Sequence, residues 1–250
     1  MSADGWSCGA ERSEDRIVSA DGSGDVRLLS GRMVRLVDLR IADRDPGGAD
    51  ARAILRTLAG EPVEVMSAGA ADRWGRLPAA LTVGGPAGYP LAELLVGEGL
   101  AVVDPGERDA LCRSDLLGTE GGARRRRVGL WKDGGPSIRA DDADALRAAA
   151  GRFAVVEGRI VGVGERRDRT YLNFGRDWSR EFSVVLSKKG WAAAKARGLS
   201  AAALTGALVR VRGMVDARPA PTVEVVAPEL IEVVEPARVG RAGRAGRARP

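Results

Sequence analysis

Apolar and polar residues alternate along two short runs near the start of the chain. Residues 26–29 and 33–37 both follow this pattern, and Ser30 and Gly31 lie between them. Alternation with a period of two is typical of a strand with one buried face, and a glycine between two such runs favours a tight turn. The pattern therefore predicts a β-hairpin.

Similar patterns predict further elements in both halves of the chain. In the first half we predict strands at residues 16–19, 26–29, 33–37, 62–66, 77–83 and 101–103, and helices from residue 50, at 91–97 and from about 107. In the second half we predict strands at residues 153–163, 170–174, 182–186, 208–215, 222–226 and 230–234, with a helical stretch at 187–204 that breaks at Gly198.

Both halves thus run strand-strand-strand-helix-strand-strand, which is the order of a five-stranded Greek-key barrel of the OB type. We therefore predict a mainly β protein with some α-helix and two such barrels, at residues 16–131 and 151–236. The remaining segments are an N-terminal arm at 1–15, a linker with a short helix at 132–150, and an Arg-rich tail at 237–250 that we expect to be disordered.

The charge of the chain favours anionic partners. The net charge is +5 at pH 7, and nearly all of the basic residues are arginines. No apolar run approaches the roughly 18 residues of a membrane-spanning helix, so we expect no membrane partner. The first residues are polar and acidic, which predicts a cytoplasmic protein for the chain as given, or an exported one if a signal sequence is missing from it.

Histidine is absent, which excludes Ser-His-Asp triads and His-ligated zinc. The two cysteines, Cys8 and Cys112, are too few for a four-thiolate metal site. They could form a disulfide in an oxidising compartment or remain thiols in the cytosol, and the sequence leaves both alternatives open.

Arg35 lies among apolar neighbours in the second strand of the hairpin. A guanidinium there loses hydration unless it faces an anion, and its planar fork fits phosphate or carboxylate. The alternative is an arginine on the solvated face of an antiparallel strand.

Six other residues are candidates for contacts with nucleic acid. Arg124 opens a run of four arginines, which would either bind phosphate or form a solvated helix face. A loop and strand of the second barrel supply the other five, with the aromatic residues as stacking platforms. These five are Arg166, Arg167, Arg169, Tyr171 and Trp178.

Four segments of the first half, taken together, are similar to the staphylococcal nuclease (thermonuclease) family. They are Asp21-Gly22 before the hairpin, Val34-Arg35-Leu36 within it, D-R-W-G-R-L at 72–77, and E-x-x-A-R followed by G-L-W at 120–131. The second half resembles the extra domain that follows such a nuclease-like domain in some bacterial proteins.

The resemblance implies an OB barrel with extra C-terminal helices and a Ca²⁺-dependent phosphodiesterase site. In such a site the metal polarises the phosphodiester and cationic side chains stabilise the charge that develops on phosphorus. By position, Arg35 and Arg76 match the two family arginines, and Asp43 takes the place of the general-base glutamate.

The positions that would hold the metal depart from the family pattern. One ligand position falls on Ser23 or Gly24, and another falls on Arg40. Two unit charges ~4 Å apart interact by roughly 4 kcal/mol at an effective dielectric of 20, so an arginine directed at Ca²⁺ is strongly unfavourable. We expect Arg40 to pair with Asp38 on the same strand face. The carboxylates that a shifted register could still bring to a metal are Asp21, Asp25 and Asp38.

Three functional hypotheses follow. The favoured one is a protein that binds single-stranded or flexible nucleic acid through its two family arginines, with Ca²⁺-dependent hydrolysis weak or lost. The first alternative is an active Ca²⁺-dependent nuclease with rearranged metal ligands. The second is a scaffold for protein contacts.

Overall fold

A computed structural model describes residues 6–8, 11–21, 23–41, 46–177 and 180–237 of the chain. The fold is mixed α/β and mostly β, with a closed five-stranded barrel and several helices. The described residues form two compact units. One contains the residues up to Ser137 together with Val226–Glu229, and the other contains Ile138–Val225 and the residues from Leu230 onward.

The first unit contains eight named strands and three α-helices within its described residues. The strands are β1 (Arg12–Ala20), β2 (Val26–Leu28), β3 (Met33–Leu36), β4 (Leu39–Ile41), β5 (Pro62–Ser67), β6 (Arg76–Val83), β7 (Tyr89–Pro90) and β8 (Ala101–Val103). The helices are α1 (Pro46–Thr57), α2 (Leu91–Gly97) and α3 (Leu116–Arg126), and a 3-10 segment follows at Gly129–Gly134.

Five of these strands close into a barrel. Antiparallel pairings join β3, β2, β1, β5 and β6 in that order, and a parallel pairing of β3 with β6 completes the ring. The predicted hairpin is confirmed as β2 and β3, and Gly31 at the turn has φ 87°, which glycine adopts without steric cost. The first unit is therefore consistent with an OB-like barrel.

Apolar side chains at alternate positions of the strands fill the barrel interior. In β6 the side chains of Ala79, Leu81 and Val83 are buried, and in β3 those of Val34 and Leu36 are buried. The intervening residues of each strand must therefore face outward, because successive side chains of a strand point to opposite faces.

The predicted starts of β1 and α3 are among the boundaries that are wrong. β1 begins at Arg12, inside the predicted arm, because it pairs with residues Pro62 to Met66 of β5. The helix predicted from residue 107 begins only at Leu116. The residues before it form turns, and there the backbone N–H of Arg113 donates to Asp38 Oδ2 at 2.7 Å instead of to a helical carbonyl.

A disulfide joins Cys8 to Cys112 across a sequence separation of 104 residues. The neighbouring Ser7 strengthens this link, since its backbone N–H donates to the carbonyl of Cys112 at 2.9 Å. Of the two alternatives that the sequence left open, the structure therefore has the disulfide.

The remaining strands and helices follow in the second half of the chain. The strands are β9 (Ser137–Arg139), β10 (Phe153–Arg159), β11 (Gly162–Glu165), β12 (Arg169–Asn173), β13 (Ser183–Ser187), β14 (Leu208–Asp216), β15 (Thr222–Glu224) and β16 (Ile231–Glu235). The helices are α4 (Ala143–Ala148), α5 (Lys188–Ala196) and α6 (Ala201–Leu204), and a 3-10 turn lies at Pro228–Leu230.

One eight-stranded sheet organises this half. Its strands pair in the order β11, β12, β13, β15, β14, β10 and β9, and β16 also pairs with β14. The single long strand predicted at 153–163 is divided, because β10 pairs with β14 whereas β11 pairs with β12. The predicted break in the helical stretch is confirmed at Gly198, where φ is 87°. Residues 238–250 of the predicted tail lie outside the described residues.

Candidate functional site

The two arginines singled out by sequence lie on adjacent strands of the first unit. The parallel register of β3 with β6 pairs Met33 with Arg76 and Arg35 with Pro78. Residues two apart share one face of a strand, so Arg35 and Arg76 both lie on the outer face of the barrel. The strand that closes the barrel thereby brings together two cations that are 41 residues apart in sequence.

A buried carboxylate, Asp25, binds both guanidiniums. Arg35 Nε and Nη2 donate to its two oxygens at 2.5 and 2.8 Å, and Arg76 Nη1 donates to Oδ2 at 3.3 Å. The Asp25 side chain is only 5% exposed, whereas that of Arg35 is 43% exposed. The expectation that Arg35 faces an anion is met by this internal carboxylate, and the guanidinium still reaches solvent.

Asp72 fixes the second arginine at the turn between β5 and β6. Arg76 Nε donates to Asp72 Oδ2 at 2.8 Å, and the backbone N–H groups of Trp74 and Arg76 donate to Oδ1. The side-chain hydrogen bond from Arg76 lowers the pKa of Asp72 to about 2. Asp72 therefore remains ionised at neutral pH and holds Arg76 in a single orientation.

Trp74 lies exposed at the tip of the same turn, with 61% of its surface accessible. The guanidinium carbons of Arg73 and Arg76 lie 3.9 and 4.6 Å from its ring centroid. Such stacking orders an exposed indole through cation–π attraction. Sequence reasoning missed Trp74 as a site residue, although an aromatic between two arginines in a polar turn was the available signal.

Asp21 stabilises the turn that places Asp25 next to Arg35 and Arg76. Its Oδ1 accepts hydrogen bonds from the backbone N–H groups of Ser23 and Asp25 and from the Ser23 hydroxyl. Burial alone would raise the pKa of Asp21, but these hydrogen bonds lower it. Asp21 is therefore committed to the backbone of its own turn.

The expected pairing of Asp38 with Arg40 is wrong. Arg40 Nε donates to Asp104 Oδ2 at 2.6 Å. Asp38 has φ 61°, which turns the chain at this point, and its buried carboxylate accepts from the Arg113 backbone instead. Both residues therefore have partners from the segment around residues 104–113, which strand-face reasoning along residues 38–40 could not foresee.

The three candidate metal carboxylates each have partners within the protein. Of the three candidate carboxylates, Asp25 bridges two guanidiniums, Asp21 holds a turn and Asp38 is buried against a backbone amide. Within the described ranges no three Asp, Glu, His or Cys side chains cluster as metal ligands would. Asp43, the candidate general base, lies outside the described residues.

The remaining candidates for nucleic-acid contacts are distributed over both units. Arg124 on α3 donates to the buried Glu120 at 3.4 Å. Arg166, Arg167 and Arg169 are exposed around the β11–β12 turn, and Tyr171 is half-buried on β12. Trp178 lies outside the described residues.

No protein-family model matches the chain, and no curated protein matches it. The thermonuclease family therefore remains a resemblance that rests on the four sequence segments. In the described parts of the chain, no helix is long and apolar enough to cross a membrane.

Proposed function

We propose that this chain binds single-stranded or flexible nucleic acid through phosphate contacts at Arg35 and Arg76 and does not hydrolyse it efficiently. The observation that carries the proposal is the pair of guanidiniums on one outer face, held by Asp25 and Asp72. Arginine forks held in place lose little freedom when they meet a phosphate, which favours binding.

The exposed indole of Trp74 supplies the second element of such a site. Every base has a π-face, so stacking on an aromatic side chain adds about 1–3 kcal/mol per base without sequence preference. Because Arg76 contacts both Trp74 and Asp25, a phosphate at the arginines would place an adjoining base within reach of the ring.

The ionic contacts also support the absence of efficient hydrolysis. In a metal-dependent phosphodiesterase several oxygen ligands must hold the cation, and the developing negative charge needs free cationic groups. Here both arginines form ion pairs with the nearest carboxylate, Asp25, and by the family resemblance Arg40 falls at a position that would need a metal ligand.

We further propose that the second unit is an OB-type barrel whose outer face provides contacts of its own for single-stranded nucleic acid. Its pairing order runs from β11 through β12, β13, β15 and β14 to β10, and only two residues separate the end of β10 from the start of β11. On β12 the outward residues include Arg169 and Tyr171, a cation beside a stacking surface. This arrangement favours a second contact region for single-stranded nucleic acid.

The double variant Arg35→Ala, Arg76→Ala is expected to weaken binding of a fluorescent oligothymidine by about 10- to 100-fold, because two phosphate contacts are lost. The slope of log affinity against log salt should become less steep by about one to two. Fluorescence anisotropy across a salt series measures both quantities. Unchanged affinity, or affinity of the unmodified protein that ignores salt, would contradict the proposal.

A matched control is available on the same barrel. The variant Arg12→Ala, Arg32→Ala removes two arginines that pair with Glu64 and Asp15 away from Asp25, so it should leave affinity within about twofold. If the unmodified protein binds no oligonucleotide at low salt, the scaffold hypothesis is favoured instead.

The variant Asp25→Asn distinguishes the binding proposal from the active-nuclease hypothesis. Asp25 both orients the guanidiniums and competes with an incoming phosphate for them. Asparagine keeps one acceptor oxygen and removes the competing charge, so this variant should bind the oligonucleotide about tenfold more tightly once solvent screening is taken into account. A nuclease that used Asp25 as a metal ligand would lose Ca²⁺-dependent, chelator-sensitive cleavage of heat-denatured DNA in this variant. If the unmodified protein shows such cleavage and the variant does not, the active-nuclease hypothesis is supported and the binding proposal is wrong.

A further inference from the structure

A basic cleft lies in the first unit where α3 meets the 3-10 segment at Gly129–Gly134. Its walls include Arg124, Arg127, Trp131, Lys132 and Asp133, and its volume is about 640 Å³. None of these residues belongs to the group around Arg35 and Arg76. We name this feature the Arg127 cleft.

The end of α3 creates the cleft by reversing the chain. Arg127 caps the helix in the left-handed conformation, with φ 55° and ψ 44°. The following segment then folds back, so that Lys132 joins Arg124 and Arg127 around one opening. A regular helix would have spread the four consecutive arginines around its circumference.

The run of arginines is divided by this geometry. Arg126 Nη2 donates to the Gly97 carbonyl at 2.6 Å, and neither Arg125 nor Arg126 lines the cleft. Arg124 is oriented from two sides, by the buried Glu120 at 3.4 Å and by the Trp131 ring, whose centroid lies 5.3 Å from its guanidinium carbon. Only part of the run therefore faces a common ligand position.

The cleft has more cations than anions. Arg127 and Lys132 are exposed, and no carboxylate of the described residues forms an ion pair with either. Asp133 is the one acid among the described lining residues. Even with Glu120 counted against Arg124, one positive charge remains, and the geometry gathers three donor groups that suit a multiply charged oxyanion.

We propose that the Arg127 cleft binds a phosphate group at a site separate from Arg35 and Arg76. Trp131 is buried beneath Arg124, so the cleft offers cations and hydrogen-bond donors but no free face for base stacking. The phosphate belongs to a nucleic-acid backbone, which would extend the proposed function along the same strand, or to a free phosphate compound.

The test compares two variants that remove equal charge. Arg127→Asn with Lys132→Gln empties the cleft of its two unpaired cations, and asparagine tolerates the left-handed conformation at 127. Arg125→Gln with Arg126→Gln removes two charges from the same helix outside the cleft. Each full-length variant is titrated calorimetrically with pyrophosphate and, separately, with an unphosphorylated single-stranded dT12, after thermal melting has established that it is folded.

The substitutions in the cleft should weaken binding of pyrophosphate or dT12 by about five- to tenfold, and the control substitutions by less than about twofold. Loss confined to pyrophosphate assigns the cleft to a free phosphate compound, and loss that includes dT12 assigns it to the backbone. Equal losses in both variants, or no loss in either, would overturn the proposal. The variant Arg35→Ala, Arg76→Ala tests the proposed function independently, since its failure leaves the pyrophosphate result untouched.

Discussion

Reducing the Cys8–Cys112 disulfide is expected to lower the free energy of unfolding of the first unit by about 4 kcal/mol. The bond closes a loop with a sequence separation of 104 residues, which restricts the unfolded chain far more than the folded one. The bond removes little conformational freedom from the folded unit, because the hydrogen bonds of Ser7 to Leu111 and Cys112 already hold the two segments together.

Urea unfolding with and without a phosphine reductant measures this effect. The second unit contains no cysteine, so the effect of the reductant should appear in the unfolding of the first unit. The variant Cys8→Ala, Cys112→Ala should match the reduced protein and ignore the reductant. Equal midpoints for the oxidised and reduced protein would exclude a stabilising role for the bond.

The disulfide also bears on where the protein works. Such bonds persist in oxidising compartments and are rare in the cytosol of mesophiles. Thiol labelling of the untreated protein would test whether the bond forms in its natural compartment.

Asp38→Asn is expected to stabilise the protein at pH 7.5 by at most about 3 kcal/mol, because the asparagine amide nitrogen would lie where Asp38 Oδ1 has no hydrogen-bond partner in the described residues. Burial raises the pKa of Asp38 from 3.8 to about 6, against the opposing hydrogen bond from the Arg113 backbone, and this difference corresponds to about 3 kcal/mol. The folded protein therefore binds the proton more tightly than the unfolded chain. Stability from this group is complete below pH 3.8 and is lost as the pH rises through 6. Asparagine suits the position, because it tolerates the φ of 61° and its carbonyl can accept the same hydrogen bond.

Denaturant unfolding between pH 3.5 and 7.5 checks the sign as well as the size. The variant should lose the decline in stability between about pH 4 and 6 and should match the original protein near pH 3.5. Aspartates with lowered pKa values, such as Asp21 and Asp72, act in the opposite direction but at lower pH. Asp144→Asn is a suitable control, because that side chain is fully exposed. A variant as pH-dependent as the original would contradict the assignment.

Local patterns predicted most of the elements of the first unit. Alternation identified β2, β3, β5 and β6, and α2 and β8 begin and end at the predicted residues. These elements have clear periodicity and are bounded by glycine or polar turns, so their sequences contain the information that defines them. The closed five-stranded barrel is confirmed, whereas the second OB barrel remains a prediction.

The errors concern contacts between distant segments. The segment before Leu116 has helix-compatible composition, but the disulfide at Cys112 and the bond from Arg113 to Asp38 hold it in turns. Likewise, Arg40 pairs with Asp104, which is distant in sequence. Arg35 pairs with Asp25, which lies just before the neighbouring strand β2. Periodicity describes which face a side chain occupies, but it does not identify the residue opposite.

The parallel ladder of β3 with β6 gives ligand binding a mechanical consequence. This ladder turns an open sheet into a ring, and Arg35 and Arg76 stand on its two sides. An anion held by both side chains would resist separation of the strands, so local opening there would become rarer. When the ligand is added, amide hydrogen exchange along the β3–β6 ladder should therefore slow more than exchange elsewhere in the barrel.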